Sequence, residues 1–91
     1  MRTLVWRASA REDLAKIIAY IAERNPPAAR GVRNLIEESV LPLAEHPELF
    51  RPGRVPGTRE LVAHPNYIVV YRVTRATVEI INVLHARQRY P

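Results

Sequence analysis

The sequence predicts an α+β domain in which an antiparallel helical hairpin packs on one face of a mostly antiparallel sheet. Two periodicities carry that prediction. Between residues 9 and 43, apolar residues recur at helical spacing on either side of Asn25-Pro26-Pro27. From residue 59 onward, β-branched and aromatic residues run in three blocks separated by short turns. The third observation is size. A chain of 91 residues can bury one small core and has no room for a second, so residues 1–91 are read as one domain.

Thr3-Leu4-Val5-Trp6 reads as a short first strand, with Trp6 a core candidate. Ser9-Ala10-Arg11-Glu12 matches a capping box, which predicts that Ser9 opens the first helix by accepting a free backbone N–H. Leu14, Ile17, Ile18 and Ile21 then form its buried stripe. Asn25 precedes a proline, avoids helical geometry and ends that helix. A second helix runs from about Pro27, with Val32, Leu35, Ile36, Val40 and Leu43 as its stripe. Pro42 ends or kinks its last turn. His46–Gly57, with three prolines and two glycines, reads as a loop. The strands that follow are Arg59–Ala63, Tyr67–Val73 and Val78–Leu84, turning at His64–Asn66 and Thr74–Ala76. Nearly every residue of Tyr67–Val73 is apolar, which predicts a central strand buried on both faces. The order is β-α-α-β-β-β, and the first strand is expected beside the last.

Composition excludes several classes of function. An apolar fraction of 47% with 25% charged residues is globular rather than disordered. The absence of cysteine excludes a disulfide scaffold, a thiolate zinc site and a cysteine nucleophile, and fits a reducing compartment. The longest apolar run, Ile17–Ala22, is far short of the roughly 18 residues that span a bilayer. The first residues lack a secretory apolar stretch, so a cytoplasmic protein without a membrane partner is expected. The net charge is +5, and Lys16 is the only lysine. Residues 1–50 hold seven basic and seven acidic residues, whereas residues 51–91 hold seven and two. The whole surplus therefore lies toward the C-terminus, which points to an anionic partner.

Phosphate loops, His-Glu-x-x-His and Gly-x-Ser-x-Gly are absent. His46, His64 and His85 show no ligand spacing, so no metal or cofactor is expected. The tail is richer, with His85, Arg87, Arg89 and Tyr90 inside six residues. A guanidinium grips phosphate with two hydrogen bonds, an imidazole moves protons near neutral pH, and a tyrosine stacks on bases or transfers protons. Such a set serves RNA cleavage by a 2′-hydroxyl, or equally an arginine-rich docking surface. Tyr67 and Tyr71 share one strand face, as a stacking platform or as core aromatics. Arg59 and Glu60 are a candidate ion pair or partner contact.

Four segments in this order, namely Ala10-x-x-Asp13-Leu14, Pro56-Gly57-Thr58-Arg59-Glu60-Leu61, Tyr67–Val73 and Val83–Pro91, resemble the RelE/ParE superfamily of toxins from bacterial type II toxin–antitoxin systems. The resemblance covers almost the whole chain and implies a cognate antitoxin. RelE-like members cut mRNA in the ribosomal A site without a metal, whereas ParE-like members inhibit DNA gyrase and trap cleaved DNA. RelE-like nucleases carry two lysines on the sheet and an arginine directly after the first aromatic of the central strand. This chain has Lys16 alone, on the first helix, and Ile68 at the arginine position. Arg87 falls where RelE-like toxins place a tail arginine, but His85 and Tyr90 are too far apart to copy the His-Tyr pair of another subgroup. The resemblance thus implies a ParE-like inhibitor, with Arg59, Arg72, Arg87 and Arg89 facing the target. Tyr20 and Ala28, on the exposed side of the hairpin, would receive the antitoxin together with the sheet edge. The alternative is an mRNA interferase acting on the ribosome, with His85, Arg87 and Tyr90 as catalytic candidates. A third reading is a member that only binds its antitoxin for promoter regulation.

Overall fold

Proline punctuation and apolar spacing set the element boundaries in a computed structural model that describes Met1–Pro91. Strand β1 (Thr3–Trp6) leads into α1 (Ala8–Ala22) and α2 (Pro26–Ser39). A 3-10 turn over Leu41–Ala44 follows, then β2 (Arg51–Pro52), β3 (Arg59–His64), β4 (Tyr67–Val73) and β5 (Thr77–His85). Asn25 does more than end α1. Its Oδ1 accepts the Ala28 N–H at 3.1 Å and so caps α2. Pro42 cannot donate a backbone hydrogen bond. The α-helix stops at Ser39 and the chain tightens into the 3-10 turn, with Val40 and Leu43 still buried.

The sheet order is β1-β5-β4-β3-β2. Strand β1 runs parallel to β5, with Leu4 opposite Val78, and all other neighbours are antiparallel. Leu14 and Ile36 of the helices meet Val69, Tyr71, Val78, Ile80 and Val83 of the sheet in the main core. Ile68, Val70 and Leu84 alternate to the opposite face and are buried there too. No helix covers that outer face. The segments that reach it are residues 51–58 and the tail. The Arg54 N–H donates to the Glu60 carboxylate at 3.1 Å, and Arg54 Nη1 donates to the Gln88 carbonyl at 3.3 Å. No helix is long and apolar enough to cross a membrane.

Several local expectations change in the folded chain. No capping box opens α1. It starts at Ala8 with Arg7 as an N-cap that makes no side-chain bond, and Ser9 Oγ donates instead to the Ile81 carbonyl. The reason lies in β1, which stops opposite Ile80 and leaves the next part of β5 without a strand neighbour on that side. Ser9 and Asp13 take the neighbour's role. Asp13 Oδ2 accepts from the Val83 N–H at 3.0 Å and from Asn82 Nδ2 at 2.9 Å. Unpaired edge groups held against a helix need protein partners, whereas the exposed first turn of α1 can use water.

The predicted loop contains β2, which pairs with Arg59 and Glu60 and makes the sheet five-stranded. Leu35, at a stripe position of α2, is 44% exposed, and Ala29 joins Ile36 on the buried face instead. Glu60 does not pair with Arg59, because adjacent strand residues point to opposite faces. It pairs with Arg51 at 3.2 Å and Arg54 at 3.4 Å.

Candidate functional site

The basic C-terminal half sorts by what each guanidinium meets. Arg59 lies on the helix side of β3. Its Nη1 donates to the carbonyls of Phe50 at 2.8 Å and Glu48 at 3.4 Å, pinning the segment after the 3-10 turn. Tyr71, opposite it on β4 and fully buried, donates from its hydroxyl to the Pro47 carbonyl at 2.6 Å. Burial pushes the Tyr71 phenol above its ordinary value, and the Arg59 guanidinium and the Phe50 backbone offset part of that rise. Tyr71 is therefore a core residue rather than half of a stacking platform.

The outer face carries the other arginines. Arg72 Nη2 donates to Glu79 Oε1 at 2.9 Å, and Arg7 Nη1 lies 3.9 Å from Glu79 Oε2. Arg51 and Arg54 share Glu60 in the same way. Two arginines around each carboxylate leave a positive charge at each cluster. Arg75 in the β4–β5 turn, and Arg87 and Arg89 in the tail, are exposed, and no acidic group holds their guanidinium groups. The surplus seen in the sequence thus becomes a basic surface on and beside the outer face.

A groove of about 670 Å³ runs between α1 and the strand ends, lined by Lys16, Tyr20, Asn66, Tyr67, His85 and Gln88 among others. Tyr67 sits between two imidazoles, its ring centroid 5.4 Å from His64 and 5.6 Å from His85. Each imidazole accepts a backbone N–H at Nδ1, from Asn66 at 3.0 Å and from Arg87 at 3.1 Å respectively. With Nδ1 as the acceptor, the neutral ring carries its proton on Nε2. Tyr20 is 60% exposed, and the Arg24 guanidinium lies 4.1 Å above its ring. Ala28 is exposed in the first turn of α2 and does not line this groove.

The tail candidates do not converge. His85 stacks edge-on against Tyr67, Arg87 reaches solvent, and Tyr90 turns back to donate to Asn82 Oδ1 at 3.1 Å. Ile68 is 4% exposed on the outer face. No three His, Asp or Glu side chains gather as a metal-binding group. Sequence reasoning missed the Arg51–Glu60–Arg54 cluster, for which the surplus charge was the only signal. It also missed His64, which joins Tyr67 and His85 because β3 and β5 both end beside the first residue of β4.

The chain matches, over residues 4–90, the family described as the ParE toxin of the type II toxin–antitoxin system, parDE. It is 46% identical over 87 residues to the putative toxin Y4kP of Sinorhizobium fredii, covering 94% of this chain and 90% of that one. It is 35% identical over 86 residues to toxin RelE2 of Caulobacter vibrioides, covering 94% and 97%. Among solved structures, the chromosomal ParDE system from P. aeruginosa superposes with a TM-score of 0.85 at 27% identity, covering 93% of this chain and 96% of that one. The RelBE2 toxin–antitoxin complex from Mycobacterium tuberculosis gives 0.62 at 26% identity, covering 92% and 96%. The β-α-α-β-β-β-β order, the helical hairpin on a five-stranded sheet and these matches over nearly all of the chain agree, and the chain belongs to the RelE/ParE superfamily of type II toxins.

Proposed function

We propose that this toxin acts on DNA gyrase in the cytoplasm, as ParE-like members do, and that a cognate antitoxin neutralises it. One observation carries the choice of target. Ile68 occupies the position where RelE-like nucleases place an arginine, and it is buried on the outer face. No tail group replaces it, since His85, Arg87 and Tyr90 go to three different surroundings. Losing one such charge donor costs on the order of 3 kcal/mol of transition-state stabilisation, roughly a hundredfold in rate.

Arg72, Arg87 and Arg89 face the target in this reading. Arg59 contributes indirectly, by holding the segment at Glu48–Phe50. The similarity to a ParDE system and to the RelBE2 toxin–antitoxin complex supports an antitoxin partner. Its receiving surface is the helical hairpin, where Tyr20 and Ala28 are exposed. A segment that folds on binding can cover such a surface while it orders.

The test is a supercoiling assay with toxin freed from antitoxin, gyrase, relaxed plasmid and ATP. The expected result is loss of supercoiling, with linear DNA released after detergent and protease. Unimpaired supercoiling by folded toxin would overturn the gyrase reading. The His64–Tyr67–His85 row beside an open groove favours the mRNA interferase as the second reading. In that case ribosome-dependent cleavage would be lost on His85→Ala.

A further inference from the structure

We propose that Arg51, Arg54, Arg87 and Arg89 form a surface that grips the phosphodiester backbone of duplex DNA, with Glu60 as its positioning residue. The choice of DNA rests on the gyrase reading, in which the toxin meets a protein–DNA complex.

Glu60 is the one buried charged residue of the chain, 3% exposed. Its Oε1 accepts from Arg51 Nη2 at 3.2 Å, and its Oε2 accepts from the Arg54 N–H at 3.1 Å with Arg54 Nε at 3.4 Å. Arg54 Nη1 then donates to the Gln88 carbonyl at 3.3 Å. Gln88 stands between Arg87 and Arg89, so one carboxylate gathers two guanidinium groups and, through Arg54, the stretch of tail that bears two more. Four positive charges around one buried negative charge leave a net three on this surface. Burying the carboxylate is tolerable only because the arginines hold it, and this fixes the positions of the arginines in turn.

The surroundings favour a nucleic acid over a protein. Protein interfaces concentrate their energy in Trp, Tyr and Arg anchors seated in well-packed, desolvated pockets. None of these four arginines lines a cavity of the molecule. Val62, 52% exposed, is the only strongly exposed large apolar side chain on the strands. A phosphate backbone needs neither anchor nor pocket, only guanidinium forks at fixed positions.

The test measures binding of antitoxin-free toxin to a short fluorescent DNA duplex across a salt series, without gyrase. Four phosphate contacts predict a slope of log affinity against log salt of roughly −3.6, at about 0.9 per contact. Arg87→Ala with Arg89→Ala should make the slope shallower by about two and weaken binding at least tenfold. Arg30→Ala with Arg33→Ala removes the same charge from α2 and should leave the slope unchanged. Glu60→Gln raises the net charge by one, so a merely electrostatic surface would bind more tightly. Positioning predicts weaker binding. Arg54→Lys keeps the charge but loses the fork between Glu60 and Gln88, and it should weaken binding likewise even if Glu60→Gln fails to fold.

Three outcomes overturn the proposal: no binding by the parent, equal slope loss in the α2 double variant, or tighter binding by Glu60→Gln. A matched RNA duplex binding tenfold more tightly overturns the assignment to DNA. DNA binding without gyrase inhibition removes the target reading and leaves this surface standing. Gyrase inhibition by a toxin that binds no DNA does the reverse.

Discussion

At the scale of single residues, buried polar side chains matter most because none of their buried nitrogen or oxygen atoms is left without a partner. Tyr71 is the largest fully buried side chain, and its hydroxyl ties β4 to Pro47. Tyr71→Phe should cost about 1–3 kcal/mol in urea unfolding, since the Pro47 carbonyl loses its donor. The raised phenol also predicts a pH dependence with a definite sign. Above an ordinary phenol value of about 10, the unfolded chain releases this proton while the native chain keeps it. Stability from this group is complete below that value and is lost as pH rises through the native one. Tyr71→Phe should flatten the alkaline loss, and an identical loss in both proteins would refute the assignment. Gly57 has φ +85° with open space where a Cβ would stand, so Gly57→Ala meets backbone strain alone, about 1 kcal/mol by thermal melting.

Elements are joined by side chains that replace missing backbone neighbours. Asp13 links α1 to β5 by accepting from Val83 N–H and Asn82 Nδ2. Asp13→Ala leaves both donors facing a helix without an acceptor and should cost about 2–3 kcal/mol. Amide exchange should quicken at Val83 before it does at Val69 of the central strand. Equal protection of Val83 in both proteins would show that another acceptor replaces the carboxylate. Asn25 works at the hairpin turn, and Asn25→Ala should cost about 1 kcal/mol through the lost cap of α2. The link between Arg59 and the carbonyls of Glu48 and Phe50 is of the same kind. Arg59→Ala is expected to lower the melting temperature as well as any target effect.

Across the whole molecule, two surfaces lie apart in their chemistry. The groove beside α1 presents Tyr20, Tyr67 and His85, while the outer face presents arginines. Tyr20→Glu is expected to weaken antitoxin binding at least tenfold and leave target inhibition intact. If gyrase is the target proposed above, the tail double variant Arg87→Ala with Arg89→Ala should lose that inhibition. Calorimetric titration with the antitoxin and the supercoiling assay separate the two. If Tyr20→Glu left antitoxin affinity unchanged, the receiving surface would have to be sought along the sheet edge instead.

Patterns along the chain sufficed for both helices and for four of the five strands, in their order. Helical and strand periods, and the positions of Pro26, Pro27 and Pro42, are properties of neighbours along the chain. Local sterics suffice to read them. The sequence also determined the family, since the motifs that carry the resemblance are contiguous strings, and it showed where the charge surplus lies. Strand parity could even have shown that Arg59 and Glu60 face opposite ways. Which partner each polar side chain found was settled only when distant segments met on folding. Ser9 left its capping box for an edge carbonyl of β5, and Glu60 took Arg51 and Arg54 across a two-residue strand inside an apparent loop. Asp13 met a backbone N–H 70 residues away. Such contacts depend on where β1 ends and on how a bulge shifts the register of β5, and no local pattern encodes either. The candidate surface was legible as a charge and became a geometry only when the tail and the 51–58 segment met over the sheet.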